Sequence, residues 1–190
     1  DCKDCPKGTY LDQEGQDACK NCTVGRYNDQ VTQDDCKTCT VGRYNDQVTQ
    51  DDCKDCPAGR YNDQTAQDEA SDCKACGTGK YNDQTGQDAA TDCKNCPAGK
   101  YNDQTAQAEC IHCGMGKFNT LTAQTTESAC QNCATGLYLD QVGQDNADDC
   151  KNCPKGTYLD QEGQTDVAAC KACPLGQYQD AELGQDAVED

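Results

Sequence analysis

Twenty cysteines fall into ten Cys-x-x-Cys pairs, at 2/5, 19/22, 36/39, 53/56, 73/76, 93/96, 110/113, 130/133, 150/153 and 170/173. Successive pairs start 17 or 20 residues apart. Against them stand only 16 residues of Leu, Ile, Val or Phe in a chain of 190. An ordinary core of that size cannot offset roughly 1–2 kcal/mol of backbone entropy per residue. That share of core formers, with a net charge of −18, would by itself read as disorder. Cysteine above about 8–10% instead marks a scaffold held by covalent links. A deep catalytic pocket is not expected of it.

Registered on the second Cys of each pair, the chain repeats itself. Gly stands three positions later in all ten copies, and an aromatic two after that: Tyr10, Tyr27, Tyr44, Tyr61, Tyr81, Tyr101, Phe118, Tyr138, Tyr158 and Tyr178. Asp follows two further on in nine copies, and Gln four residues later in nine. Residues 22–37 recur unchanged as 39–54. The two repeat lengths differ by three residues between that Gln and the next Cys, so length variation is confined to one loop. Gly-x-Tyr is a short extended run, Pro after the second Cys in five copies argues against helix, and Asn-Asp-Gln-Thr-x-Gln is turn chemistry. The expected fold is one of small disulfide-rich repeats: an elongated array of short β-strands and turns with little or no helix. It spans 1–190 as a single tandem array with no linker or separate domain. Each repeat is expected to touch only its neighbours, and the aromatic to cover the adjacent disulfide and supply most of the apolar burial.

The charge narrows the function. At pI ≈ 4.2 a nucleic-acid backbone or an anionic membrane is repelled. No window reaches the 18 or so apolar residues of a membrane-spanning segment. Starting at Asp1 with neither Met nor an apolar leader, the chain reads as a mature product or a piece of something longer. Dense disulfides belong to oxidising compartments, which places it outside the cell, secreted or on the cell surface.

Three readings of the cysteines compete. Disulfides can close each gap: Cys5–Cys19, Cys22–Cys36, Cys39–Cys53, Cys56–Cys73, Cys76–Cys93, Cys96–Cys110, Cys113–Cys130, Cys133–Cys150 and Cys153–Cys170. Each loop of about 15–18 residues is worth on the order of 3 kcal/mol in the chain-entropy model. This makes every repeat self-contained and leaves Cys2 and Cys173 over. Paired knuckles can hold zinc, but the spacings do not alternate as two-knuckle sites require. A bond inside each Cys-x-x-Cys, or a longer interleaved scheme, is the third, since spacing alone does not determine connectivity.

Cys-x-x-Cys-Pro-x-Gly-x-Tyr, a polar turn, and Cys-x-x-Cys again resembles the ephrin-receptor-like cysteine-rich repeats. More distantly it is similar to the first module of tumour-necrosis-factor-receptor cysteine-rich domains. In that receptor family the Cys before Pro-x-Gly-x-Tyr bonds the next Cys along, which implies the gap-closing scheme. Pro is missing at Thr23, Thr40, Gly77, Gly114 and Ala134. The receptors' further interlocked cysteines are absent, so a cytokine-binding role does not follow. Long near-perfect arrays of this kind resemble parts of large surface or filament proteins of unicellular eukaryotes.

The Asp series (12, 29, 46, 63, 83, 103, 140, 160 and 180) raises calcium as a ligand, with Asp63 and Asp68, or Asp83 and Asp88, as oxygen donors four or five residues apart. Turn capping and a solvated acidic face are the plainer reading, and no cofactor is expected. Lys follows the first Cys in eight of ten repeats, placed to pair with a neighbouring acid. Asn21-Cys22-Thr23 is the only N-x-[ST] sequence, which makes Asn21 the candidate for a glycan. One repeat diverges: Ile111, His112, Met115 and Phe118 are the only Ile, His, Met and Phe in the chain. No Ser-His-Asp or Cys-His arrangement and no phosphate loop is present, so the chain is not expected to be an enzyme. The expected function is that of a structural protein, a disulfide-stapled extracellular rod serving as filament subunit, stalk or spacer. Its partner would be itself, end to end or laterally, with Cys2 and Cys173 bonding between copies or beyond the segment, and with glycans as a further partner. The alternative is a ligand-binding or adhesion ectodomain of a cell-surface receptor.

Overall fold

A computed structural model describes residues 2–178. Its contacts group the chain into two compact units, Asp1–Gly77 with Tyr81–Lys94 and Thr105–Glu109, and Thr78–Lys80 with Asn95–Gln104 and Cys110–Asp190. Repeats are named below by the second Cys of one pair and the first Cys of the next.

The building block is a two-residue antiparallel hairpin. In the first unit Thr9–Tyr10 pairs Lys20–Asn21, Arg26–Tyr27 pairs Lys37–Thr38, Arg43–Tyr44 pairs Lys54–Asp55, and Arg60–Tyr61 pairs Lys74–Ala75. In the second unit Lys100–Tyr101 pairs Ile111–His112, Lys117–Phe118 pairs Gln131–Asn132, Leu137–Tyr138 pairs Lys151–Asn152, and Thr157–Tyr158 pairs Lys171–Ala172. The outgoing strand is thus the x-Tyr of Gly-x-Tyr, and the returning strand is the x-x inside the next Cys-x-x-Cys. A tight turn starts each outgoing strand: Thr9 N–H donates to the Pro6 carbonyl and Arg26 N–H to the Thr23 carbonyl. Thr serves there as well as Pro, which is why Pro is dispensable.

Among the described residues there is no α-helix. The three extra residues of the longer repeats become single 3₁₀ turns, Ala70–Asp72, Ala90–Asp92, Glu127–Ala129, Ala147–Asp149 and Val167–Ala169, each ending at the closing Cys. Side-chain carboxylates hold several of them: Asp72 accepts from the Asp68 and Glu69 N–H groups, and Asp92 from the Ala89 N–H.

Repeats are joined by a backbone ladder. Within the first unit, Gly8 N–H donates to the Asn28 carbonyl, Asn28 N–H to the Gln50 carbonyl, and Thr32 N–H to the Cys5 carbonyl. Within the second, Gly99 N–H donates to the Asn119 carbonyl, Asn102 N–H to the Gln124 carbonyl, and Ala123 N–H to the Cys96 carbonyl. The Gly residue three after the second Cys has φ between +71° and +81° in the seven copies from Gly8 to Gly116. In those seven a Cβ would also collide with a backbone carbonyl two repeats further on: Thr49 for Gly8, Ala66 for Gly25, Gly86 for Gly42, Ala106 for Gly59, Ala123 for Gly79, Gly143 for Gly99 and Gly163 for Gly116. Contacts therefore reach the second neighbour, not the first alone as the repeat pattern suggests. The residue so approached stands ten after its own second Cys and is left-handed in all nine described copies, with φ of 58–75° at Gly15, Thr32, Thr49, Ala66, Gly86, Ala106, Ala123, Gly143 and Gly163.

The buried interior also departs from expectation. It is made of disulfides and amides rather than rings: Cys22, Cys39, Cys56, Cys96, Cys113 and Cys133 are fully buried, and so are Asn28, Asn45 and Asn102. Most Tyr side chains are half-exposed. Tyr101 and Phe118 are the buried rings, and each packs on the disulfide cysteines of the next repeat, Tyr101 on Cys113 and Cys130, Phe118 on Cys133 and Cys150 with Leu139. The Asn after the aromatic is not simply a turn residue. Its Nδ2 donates to the preceding repeat's strand, Asn28 to the Thr9 carbonyl, Asn45 to Arg26, Asn62 to Arg43, Asn82 to Arg60, Asn102 to Lys80 and Asn119 to Lys100. In Asn28, Asn45, Asn62 and Asn82 the Oδ1 accepts from the N–H two residues on. Leu takes the place at Leu139 and Leu159, both 1% exposed. We expect Asn62→Leu to fold and to cost about 1–2 kcal/mol, because it removes the side-chain bonds to the Arg43 carbonyl and from the Gln64 N–H while filling the site. Hydrogen exchange of the Gln64 amide, roughly 10-fold faster, is the measurement, since 1.4 kcal/mol is tenfold; an unchanged rate contradicts the account.

Candidate functional site

The structure joins Cys5–Cys19, Cys22–Cys36, Cys39–Cys53, Cys56–Cys73, Cys76–Cys93, Cys96–Cys110, Cys113–Cys130, Cys133–Cys150 and Cys153–Cys170. Every bond spans 14 or 17 residues and closes one hairpin with its loop. Cys2, exposed, and Cys173, half-buried, are in no disulfide.

Seven of the nine acids of the series are committed to ion pairs. Lys after the first Cys reaches back across its hairpin to the Asp two residues past the ring: Lys20–Asp12, Lys37–Asp29, Lys54–Asp46, Lys74–Asp63, Lys94–Asp83, Lys151–Asp140 and Lys171–Asp160, at 2.5–2.9 Å. In five repeats the same ammonium lies 5.8–6.0 Å from the centre of the Tyr ring that it crosses, within cation–π range. Lys, ring and Asp so form one motif on the outside of a hairpin. Asp63 and Asp83 are both used this way; Asp68 and Asp88 are exposed, and Asp180 lies outside the described residues. Among the described residues no group of three or more His, Cys, Asp or Glu is placed to hold a metal ion.

Each of these Asp carboxyls is held below the usual carboxylate range, chiefly by the hydrogen bond from its Lys, as at Asp46 and Asp63; the Lys partners are raised by the same bonds. A carboxyl whose folded value is depressed contributes stability above its unfolded value, near pH 4, and loses that contribution as pH falls through the folded value. The expected result is seven hairpin ion pairs that release together below about pH 4. Carboxyl NMR titration should put the midpoints of Asp46 and Asp63 below that of a free Asp; equal midpoints refute the pairing in solution.

Arg four residues after the second Cys adds a link that the sequence does not announce. Arg43 bonds the Cys53 carbonyl at 2.6 Å, Asp52 at 2.9 Å and Asp55 at 2.8 Å; Arg60 bonds the Cys73 carbonyl at 2.8 Å, and Arg26 bonds Asp35 and the Cys36 carbonyl. Asp52 is accordingly held below the usual range by the Arg43 guanidinium.

Asn21 is exposed on the strand Lys20–Asn21, opposite Thr9. In the divergent repeat His112 pairs with Lys100, and its ring packs so closely on Gly143 that a Cβ there would collide with Nδ1. Asp55 against Gly86 and Asn132 against Gly163 hold the same place, so His112 has a packing role. Ile111, Met115 and Leu121 are 43%, 49% and 58% exposed. With Ile111 in place of Lys, Asp103 has no ion pair among the described residues. Among those residues no helix is long and apolar enough to cross a membrane.

A family model described as tyrosine-protein kinase ephrin type A/B receptor-like matches residues 1–32, 25–73 and 143–183. Comparison with curated proteins finds no match.

Proposed function

The chain belongs to the ephrin type A/B receptor-like family of cysteine-rich repeats, and from that premise we propose that this extracellular-type module is a structural protein, a covalently stapled rod that sets distance as a stalk, spacer or filament subunit. The observation that carries the reading is the use of its polar groups. The repeated Lys, Asp and Arg side chains bind within their own hairpin and the Asn binds the strand of the repeat before, so the polar chemistry is spent inside the array. Each repeat is closed by its own disulfide, and its ladder presents the next repeat with the same groups that it received. Such an array extends by adding copies.

Deletion of residues 39–55, one of two nearly identical repeats, tests this. Contour length by electron microscopy or small-angle scattering should fall by about one repeat in ten, with the remaining disulfides intact. An unchanged maximum dimension overturns the spacer reading. One observation favours an adhesion ectodomain instead, the exposed Ile111, Met115 and Leu121 on an otherwise acidic chain. Retention of a ligand by the native chain, and its loss on Met115→Lys, would support that role.

A further inference from the structure

The end of the first unit bears two adjoining cavities, and their walls are those of a repeat-to-repeat joint. The larger, about 750 Å³, is lined by Cys2, Lys3, Asp4, Leu11, Gly15, Gln16, Asp17, Ala18 and Cys19. The smaller, about 240 Å³, shares Lys3, Asp4 and Leu11 and adds Thr32 and Gln33. In the interior, every repeat presents three backbone groups to the one before it. These are the carbonyl after the ring (Asn119, accepting from Gly99), the N–H ten after the second Cys (Ala123, donating to Cys96) and the carbonyl next to that (Gln124, accepting from Asn102). The equivalents at this end are the Leu11 carbonyl, the Gly15 N–H and the Gln16 carbonyl, all on the wall of the larger cavity, and no described residue hydrogen-bonds any of them. Interior repeats also approach the second neighbour, Gly8 against the Thr49 carbonyl; the equivalent here is Thr32, on the wall of the smaller cavity. Leu11, Cys5 and Cys19 correspond to Leu139, Cys133 and Cys150, on which the Phe118 ring packs. Lys3–Asp4 corresponds to a returning strand with no outgoing partner among the described residues.

The described end of the second unit carries the complementary half. Pro174 to Gln177 already makes the opening turn, Gln177 N–H donating to the Pro174 carbonyl at 3.1 Å. Gly176 has φ +90° with nothing within 4 Å of a Cβ. Leu175 is fully exposed and the Tyr178 ring is 83% exposed, where equivalent rings lie against the next repeat. Cys173 is in no disulfide.

We propose that the segment Cys173–Tyr178 of one copy docks into these cavities of a second copy, completing a repeat across two chains. This rests on the spacer reading and names its partner. Gly176 N–H meets the Leu11 carbonyl, the Gly15 N–H meets the Cys173 carbonyl, Gly176 lies against Thr32, Gln177–Tyr178 pairs with Lys3–Asp4, and the Tyr178 ring covers Leu11 and the Cys5–Cys19 bond. Cys173 and Cys2 then stand where every other repeat has its disulfide. Their two thiols lose two protons and two electrons to a small-molecule disulfide such as oxidised glutathione, which is reduced to two thiols as the Cys173–Cys2 bond forms. A head-to-tail contact of this kind uses two different surfaces and builds an open fibre.

The test is the 190-residue chain with its nine disulfides formed, incubated with oxidised glutathione and resolved without reductant, followed by peptide mapping. The expected result is a ladder of multimers whose linking peptide joins Cys2 to Cys173. Leu11→Asp, with both thiols kept, should cut the ladder at least 10-fold. Gly176→Ala should do the same, since a Cβ there meets no described residue of its own chain but would strike Thr32 of the next. Mapping of the nine bonds shows that each variant is folded. A monomer with free or glutathione-capped thiols overturns the proposal. So does a Cys2–Cys173 bond within one chain, a like-to-like link, or a ladder indifferent to both variants. A rod whose length scales with copy number but which stays monomeric would keep the spacer reading and sink this one.

Discussion

Replacing Gly99 with Ala is expected to destabilise its joint by about 2–5 kcal/mol, the sum of two separate penalties. With φ at +76°, any Cβ pays about 1–2 kcal/mol for the left-handed backbone. The second penalty is steric: the Cβ would collide with the Gly143 carbonyl oxygen, and the contact is backbone on backbone. No side chain can swing aside, so the strands must part, as in an overpacked interior that costs a further 1–3 kcal/mol or so. Gly156 separates the two, because its φ is +79° but nothing lies within 4 Å of its Cβ position. Gly156→Ala should therefore show the conformational cost alone. The readout is hydrogen exchange of the Gly99 and Gly143 amides, which donate to the Asn119 and Cys113 carbonyls. Both should exchange at least about 30-fold faster in Gly99→Ala, the factor that corresponds to 2 kcal/mol. Equal effects of the two substitutions on their own amides would mean that the second-neighbour contact is not made in solution.

That contact also shows where reading the sequence stops. The ten-fold recurrence of Cys-x-x-Cys and Gly-x-Tyr is a local signal, and it announces short strands, turns and the near absence of helix, because Pro fixes its own φ, Gly admits backbone that other residues avoid and Asn favours turns. The three-residue length difference was legible as an insertion in one loop, though not as a 3₁₀ turn, since Ala70–Asp72 and Val167–Ala169 share no obvious sequence. What a neighbour two repeats away contributes has no counterpart in local spacing. Its one trace in the sequence is that the position ten after the second Cys is restricted to Gly, Ala or Thr in every described copy, small residues tolerated where the backbone turns left-handed. The Asn after the ring hides its role for a similar reason. Beside Asp and Gln it looks like one more turn residue, yet Asn45 and Asn62 are buried at 0% and 1% exposure because each bonds a carbonyl 19 residues back. An exposed Asp and a buried Asn stand side by side, and only the pairing across repeats tells them apart.

Converting Cys56 and Cys73 together to Ser should remove about 3 kcal/mol from the repeat that they close, the loop-closure value for about 18 residues. The consequence for its neighbours is the sharper prediction. If repeats met only their nearest neighbours, the damage would stop at the repeats on either side. Here the loop that Cys56 and Cys73 close holds Asn62, which caps the Arg43 carbonyl, and Ala66, whose carbonyl lies against Gly25. It also holds Gly59, which donates to the Asn82 carbonyl and lies against Ala106. Freeing that loop therefore loosens groups from the repeat at 22–36 to the repeat at 96–110. Amide exchange should quicken not only at Gly42 and Gly59 but also at Gly25 and Ala106, which donate to the Asn45 and Cys76 carbonyls. The amide of Leu139, bonded to the Gln164 carbonyl, should keep its wild-type rate. A loss confined to residues 56–73 would mean that each staple isolates its repeat, and that the second-neighbour contacts are merely permitted by glycine. A loss extending over five repeats would mean that the array yields in blocks, with the covalent links limiting how far each block unravels. In the proposed spacer role, the second behaviour shares a local strain among several hairpins before any one of them opens.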